Sequence, residues 1–225
     1  MCNRGCFDRA PDPKVEPDAL RTVALEFTVD VFEGDIAQFL AVGAVDSFLI
    51  FGFQGESEDD FIAFGELDNK PSARVEALGK ACADAGLDID LPKDIHAAMW
   101  AKFMFISAFS GVGAVTRSPA GVTRALPETR SMLESAMTEA YNVAIARGIA
   151  LADDAVATGM KAIDRQPEVG EASMQRDIMD GKPSELDSQT GAVVRLGKES
   201  GVATPTHDFI YRSLLPQETK ARQQG

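Results

Sequence analysis

The pattern of hydrophobic and polar positions changes character near residue 70. Before it, β-branched and aromatic residues gather in short runs at Val23 to Val31, Val45 to Phe53 and Phe61 to Leu67, and these read as strands. The acidic stretch Gly55 to Asp60 reads as a turn between the last two. From Pro71 on, apolar residues recur at the three-to-four spacing of helices. Val75, Leu78 and Cys82 mark one helix, which Gly86 can end, and Leu87-Asp88-Ile89 is a short extended link. Pro92 opens a second helix, expected to stop near Gly111 and Gly113. Arg117 to Ala125 reads as a short helix, Pro127 to Gly148 as a long one and 153–164 as another. Ser184 and Asp187 make a capping-box start, with Asp in the place of the usual Glu or Gln, for a helix along Leu186, Thr190, Val193, Val194 and Gly197. Thr204 is expected to cap a last helix, with Pro205 in its first turn.

The second helix carries the first chemical signal. Between Ile95 and Ser110 the only formal charge is Lys102. Wound at about 100° per residue, Lys102 falls on the same face as Ile95, Met99, Ile106 and Phe109. An ammonium held against apolar side chains loses hydration, so its pKa falls toward neutrality and it can act as a general acid. The alternative is a lysine whose stem lies along apolar surface while its head reaches water.

Composition narrows the function classes. The chain has 225 residues, 45% hydrophobic and 25% charged, enough for a substantial core. A formal net charge of -13 argues against nucleic acid or an anionic membrane as a partner. Three cysteines, with Cys2 and Cys6 in the irregular first stretch and Cys82 on a helix, suggest no disulfide framework. With two histidines, His96 and His207, no metal site is expected. Residues 1–20 are polar, contain Pro11, Pro13 and Pro17, and read as a loose arm without a signal peptide. The apolar runs at Phe39 to Phe53 and around Lys102 are read as too short to span a bilayer. The expectation is a cytoplasmic protein.

Gly111-Val112-Gly113-Ala114 follows a helix rather than a strand and lacks a third glycine, so it is read as a helix stop and not as a dinucleotide loop. A second polar constellation spans Ser173-Met174-Gln175-Arg176-Asp177, Lys182 to Asp187, and Gly191. Glu185 and Asp187 suit a first helical turn, where carboxylates favour the helix dipole, but that does not account for Ser173, Arg176 and Lys182 in the same region.

Taken in order, Trp100-Ala101-Lys102, Ser173-Met174, Asp177, Glu185, Asp187, Gly191 and Thr204-Pro205 resemble the C-terminal half of ketopantoate reductases (2-dehydropantoate 2-reductases). Phe64-Gly65-Glu66-Leu67-Asp68 is similar to the strand and turn that precede this half. The likeness covers roughly residues 60–218. It implies a mainly α fold. A helical C-terminal domain, 91–225, would stand behind a small, divergent or truncated α/β remnant of a nucleotide-binding domain, 1–90. It also implies NADPH-dependent reduction of a 2-oxo acid, ketopantoate to pantoate in pantothenate biosynthesis, and a possible homodimer.

By that resemblance Lys102 is the catalytic proton donor, Glu185 stands near the cofactor ribose and substrate, and Ser173 binds the substrate. Glu185 is also the carboxylate expected to compensate a buried Lys102, since an unpaired buried charge costs several kcal/mol. Family asparagines are replaced here by Ile106, Ser110 and Ala120. Of these only Ser110 can still hydrogen-bond a substrate, which points to another 2-oxo acid. Residues 1–45 do not resemble the family's nucleotide-binding domain, and its glycine-rich loop has no counterpart. The competing expectation is a non-catalytic helical module that binds a ligand or dimerises.

Overall fold

In the computed structural model the described residues are 43–45, 48–53, 61–84, 86 and 88–224. The expected arm over 1–20, the strand Val23 to Val31, the acidic turn Gly55 to Asp60, and Cys2 and Cys6 lie outside them. The run Val45 to Phe53 falls in two strands, β1 (Gly43–Val45) and β2 (Phe48–Phe53). They form an antiparallel meander with β3 (Phe61–Glu66), in a register that sets Phe48 opposite Glu66 and Phe53 opposite Phe61. β4 (Ile89–Asp90) then pairs parallel to β3, Ile62 opposite Ile89. A parallel neighbour requires a crossover, and α1 (Ala73–Asp84) provides it. The sheet order is β1-β2-β3-β4, so a βαβ unit, β3-α1-β4, closes the α/β part. Gly79 lets α1 sit close: a Cβ there would stand 3.4 Å from Ile89 Cδ1 and 3.9 Å from Phe64 Cζ.

The turn after β3 ties the sheet to the helices. Buried Glu66 accepts hydrogen bonds from Arg74, Nε at 2.6 Å and Nη2, and from Ser72 Oγ, and the Arg74 bonds hold its carboxyl below the usual carboxylate range. Asn69, in the left-handed region at φ 59°, accepts from Ile95 N at 2.9 Å and donates to Asp94 at 3.2 Å. His96 Nε2 reaches Leu67 O at 2.7 Å. Asp94 caps the next helix, accepting from His96 N and Ala97 N at 3.0 and 3.2 Å, so Asp94 rather than Pro92 defines its start.

That helix, α2 (Ile95–Thr116), is the axis of the molecule. Around it pack α3 (Ala120–Ala125), α4 (Pro127–Ala146), α5 (Ala155–Arg165), α6 (Ser173–Met179), a π turn (Asp187–Gly191) and α8 (Pro205–Gln224). α7 (Ala192–Ser200) packs on α4 and the π turn. The described residues are therefore mainly α, as expected. The core runs through Met99, Phe103, Met104 and Val112 of α2, Leu133 and Met137 of α4, Ile163 of α5, Met174 of α6, and Ile210 of α8.

Several local expectations are corrected. α2 does not stop at Gly111 and Gly113 but runs on to Thr116, ending on Arg117 in the left-handed region at φ 54°. The two glycines serve close packing instead: a Cβ on Gly111 would stand 3.3 Å from Ile210 Cγ2, and one on Gly113 would stand 2.7 Å from Gln175 Cδ. At 22 residues α2 is long and apolar enough to cross a membrane, contrary to the length-based expectation, but its most apolar window is 72% buried inside the protein, as for a core helix. Only the serine half of the Ser184–Asp187 start forms: Ser184 Oγ accepts from Leu186 N at 3.2 Å, but Asp187 does not reach back to Ser184 N. Ser184 N and Oγ both donate to Glu218 of α8, while Asp187 accepts from Tyr211 and Arg195. Nor does the Thr204 side chain cap α8: Glu139 of α4 accepts from Thr206 N at 2.7 Å and His207 N at 3.0 Å.

Candidate active site

Polar groups meet the apolar surface of α2 at two places, two helical turns apart, roughly 12 Å along the axis. At the first, Lys102 lines a cleft of about 530 Å³ between the N-terminal half of α2, the segment Ala150–Ala152 and α5. Ile95, Met99 and Phe109 are buried as the winding predicts, at 1%, 0% and 5% exposure. The surface that Lys102 shares, however, is its other flank, with Ala98, Ala101 and Phe105. Leu151, Ala155 and Ala162 form the opposite wall, and exposed Asp90 and Asp154 stand at the mouth. Loss of hydration in this setting holds the Lys102 ammonium below the ordinary lysine value of 10.5.

At the second place the groups are closed off. Ser110 has no exposed surface, and its Oγ lies 2.6 Å from Ile106 O, against Gln189 Oε1, and 3.9 Å from Met174 Sδ. Gln189 Nε2 in turn donates to Glu185 Oε2 at 3.1 Å. This makes a relay, Ser110–Gln189–Glu185, carried on the π turn. There Gly191 N reaches back five residues to Leu186 O at 3.0 Å, which rotates Gln189 inward; π turns of this kind are frequent at functional sites. Burial pushes the half-buried Glu185 carboxyl above its ordinary 4.5, the Gln189 bond lowers it in part, and nearby Asp177 raises it further.

The structure thus brings Ser110 and Glu185 together and places Lys102 on the same helix, in the open cleft. The described groups that act on Glu185 are Gln189 and Asp177, and Lys102 is not among them. Ser173 is exposed at the first position of α6, next to Met174, which touches Ser110. Ser110, foreseen as a direct substrate ligand, has its hydroxyl already engaged within the core. Ile106 is half-buried and Ala120 fully buried, so neither offers a polar group. Sequence reasoning missed Gln189; its position four residues after Glu185 in a helical segment was the available signal. Among the described residues no cluster of three or more His, Cys, Asp or Glu side chains could hold a metal ion.

The region that carries both sites is also what matches known proteins. Residues 94–218 match the family model described as Ketopantoate reductase PanE/ApbA C terminal. A 2-dehydropantoate 2-reductase of Pyrobaculum aerophilum is 27% identical over 149 residues, covering 66% of this chain and 53% of the relative. The chain therefore spans about half the length of that curated relative. Among solved structures, the dimeric ketopantoate reductase of Staphylococcus aureus aligns with a TM-score of 0.65 at 22% identity, over 76% of this chain and 60% of that one. D-mandelate dehydrogenase, solved with NADH and anilino(oxo)acetate, aligns with a TM-score of 0.65 at 21% identity, over 76% of this chain and 55% of that one. At these identities the solved structures establish the fold alone. The family model spans more than half of the chain, from the cap of α2 into α8 and across both polar sites: the chain belongs to the ketopantoate reductase family, through its C-terminal domain.

Proposed function

We propose that this chain is an oxidoreductase component that reduces a 2-oxo acid to the 2-hydroxy acid, as the ketopantoate-to-pantoate conversion of its named relatives suggests. NADPH is the reductant proposed with it. The division into an α/β part over 1–90 and a helical domain over 91–225, a homodimeric state and a cytoplasmic setting belong to the same proposal. The observation that carries it is a single lysine, depressed in pKa by burial, lining an apolar cleft within the family-matched segment. A cation there neutralises charge on the carbonyl oxygen as it develops, and the lowering of its pKa by burial eases transfer of its proton to that oxygen.

Among the described residues no glycine-rich turn follows a strand. The loop after β3, Leu67 to Ser72, contains no glycine, and Gly111 and Gly113 lie inside a helix. The described residues therefore do not supply a pyrophosphate cradle, and no step is assigned to the cofactor. The roles proposed for this chain are on the substrate side. Lys102 holds and protonates the oxo oxygen. Ser110 fixes Gln189, which orients Glu185 toward the cofactor and substrate side. Ser173, exposed beside this relay, offers a hydroxyl to the substrate carboxylate.

The test is NADPH-dependent turnover of 2-oxo acids by the full chain, with Lys102→Ala as the decisive variant. Loss of a general acid lowers kcat by about 10²–10⁴-fold. No binding of NADPH or of any 2-oxo acid at millimolar concentration would leave a non-catalytic ligand-binding or dimerisation module instead.

A further inference from the structure

A second cavity, of about 420 Å³, lies between the outer face of the π turn and α8, and it shares no lining residue with the Lys102 cleft. Its volume is within the range of about 300–1,000 Å³ typical of small-molecule sites. On α8 it is lined by Tyr211, Leu215, Thr219 and Arg222, which recur at helical spacing. The cavity is therefore a groove that follows α8 for about three turns, roughly 16 Å.

The two ends of the groove carry opposite charges, each held from behind. At one end Asp187 Oδ1 accepts from Tyr211 Oη at 2.8 Å and from Arg195 Nη1 at 3.1 Å. Arg195 does not line the groove, and Asp187 Oδ2 accepts from no described residue. At the other end Arg222 reaches Glu218 through Nε at 2.7 Å and donates to Ser184 O through Nη2 at 2.8 Å. Glu218 is 4% exposed, whereas the Arg222 side chain is 56% exposed and its Nη1 has no partner among the described residues. Between the ends lie the Tyr211 ring and the exposed Leu215 side chain. The two hydroxyls there have spent their hydrogens: Ser188 Oγ donates to Glu185 O at 3.3 Å and Thr219 Oγ1 to Leu215 O at 2.8 Å. They meet a ligand as acceptors only.

We infer that this groove binds a short apolar peptide with both ends free, of tripeptide length. Its ammonium lies against Asp187, its carboxylate on Arg222, its side chains over Tyr211 and Leu215, and its amide N–H groups toward the Ser188 and Thr219 hydroxyls. The inference stands apart from the reductase reading. An amine alone leaves Arg222 covered without a partner, and a carboxylate alone does the same to Asp187. A single amino acid sets its two charges one carbon apart, too close to reach both ends. An extended tripeptide spans about 10 Å, and with a hydrogen bond of about 2.9 Å at each end it matches the groove. Both charged groups are already fixed by the fold, so little ordering opposes binding.

Calorimetric titration of the full chain tests this with five probes: Leu-Ala-Leu, its N-acetyl form, its C-terminal amide, free leucine and 8-aminooctanoate. The last has a similar charge separation but no amide groups and no side chains. Leu-Ala-Leu is expected to bind at least about tenfold more tightly than each of the others, the scale of one charge-assisted hydrogen bond. Any of the four binding as tightly, or no binding of Leu-Ala-Leu at millimolar concentration, overturns the inference. Asp187→Asn keeps an oxygen for Tyr211 and removes the charge. It should weaken Leu-Ala-Leu about tenfold and leave the N-acetyl form unchanged, because only the free amine meets that end. Equal weakening of both peptides overturns the assignment of the ammonium to Asp187. The probe series uses the unaltered chain, so it decides the matter even if the variant is unstable.

Discussion

The two ends of α2 use small residues to opposite effect. Near the N-terminus, Ala98 and Ala101 face α5 across a gap, so their lack of bulk becomes open volume beside Lys102. Toward the C-terminus, Gly111 and Gly113 draw neighbours in: Ile210 and Thr190 close over one and the Gln175 side chain over the other. What decides is the opposite wall. At the cleft it is Leu151 together with the small residues Ala155 and Ala162; at the closed end it is α6, the π turn and α8, each bringing a long side chain onto the helix. One apolar helix thereby carries an open site for a ligand and a packed polar relay that fixes the elements around it.

The largest expected effect probes that contrast directly. Gly113→Val forces its side chain into Gln175, a residue with no exposed surface whose Nε2 donates to Ser118 O at 3.0 Å, so it should cost about 3 kcal/mol of stability. Ala101→Val, about three turns nearer the N-terminus, adds similar volume into the cleft and should change stability by less than about 1 kcal/mol. Urea unfolding midpoints of the two variants measure the difference; equal losses would mean that the cleft is as tightly packed as the closed end. Gln175→Ala should recover part of the loss in a Gly113→Ala background, because the two positions share one contact.

Gln189→Leu comes next. It removes one hydrogen bond from each of two groups, the Ser110 hydroxyl, which keeps Ile106 O, and the half-buried Glu185 carboxylate, and should cost about 2 kcal/mol at about 1 kcal/mol for each lost bond. A loss near zero, measured by thermal unfolding, would show the relay to be dispensable and would remove the physical distinction between the two ends.

How much of this was legible in the sequence follows from where each signal is local. α4 and α5 carry their own period, start and stop, and the structure places them within a few residues of expectation. The strand Phe61 to Leu67 was equally plain. Gly111 and Gly113 misled because a glycine in a helix looks like a terminus, whereas here it answers to Ile210 and Gln175, residues about a hundred and about sixty positions away. Glu139 caps α8 and Glu218 holds Ser184 ahead of the π turn from elsewhere in the fold, so neither carboxylate is announced by a local motif; only Ser184 Oγ, which accepts from Leu186 N, was locally readable. α6 was not foreseen as a helix, since its seven residues are too few to show a period. The cleft depends on the packing of α2 against α5 and Ala150–Ala152; the sequence offered only Lys102, and it assigned that residue the wrong flank.

Lys102→Met turns the open end into an apolar surface. The folded-state pKa of Lys102 lies below 10.5, so between the folded value and 10.5 the unfolded chain binds the extra proton. Holding the ammonium against the cleft wall therefore weakens the fold below the folded pKa. The penalty fades as pH rises toward 10.5. The variant should accordingly be about 1 kcal/mol more stable at pH 7, the lower end of what replacing a buried charge yields, with a gain that shrinks at pH 10. It should also lose 2-oxo acid binding, a trade of function for stability. A constant gain across that range would mean that the lysine head is hydrated and its stem alone meets the apolar surface.

The smallest effect belongs to the closed end. Glu185 has a folded pKa above 4.5, so it is the ionised form that folding disfavours. Below pH 4.5 the carboxyl is protonated in both states and contributes nothing; as pH rises through the folded value the penalty appears. Glu185→Gln keeps an oxygen to accept from Gln189 and removes the charge beside Asp177. Because the carboxyl is only half buried, solvent screens much of the penalty, and the gain should be about 0.5 kcal/mol at pH 8. Glu66 and Glu139 pull the opposite way, their stabilisation being lost as pH falls: Arg74 lowers the first. For the second, burial raises the pKa but the hydrogen bonds from His207 and Thr206 outweigh it. They act equally on wild type and variant, so the difference in stability between the two, followed from pH 4 to pH 8, isolates Glu185. A variant less stable than the wild type at pH 8, with a deficit that fades toward pH 4, would instead mean that the Glu185 carboxylate is stabilised in the fold, as a salt-bridged partner of a cation would be. That outcome would restore the expected pairing with Lys102 and merge the two ends of α2 into one site.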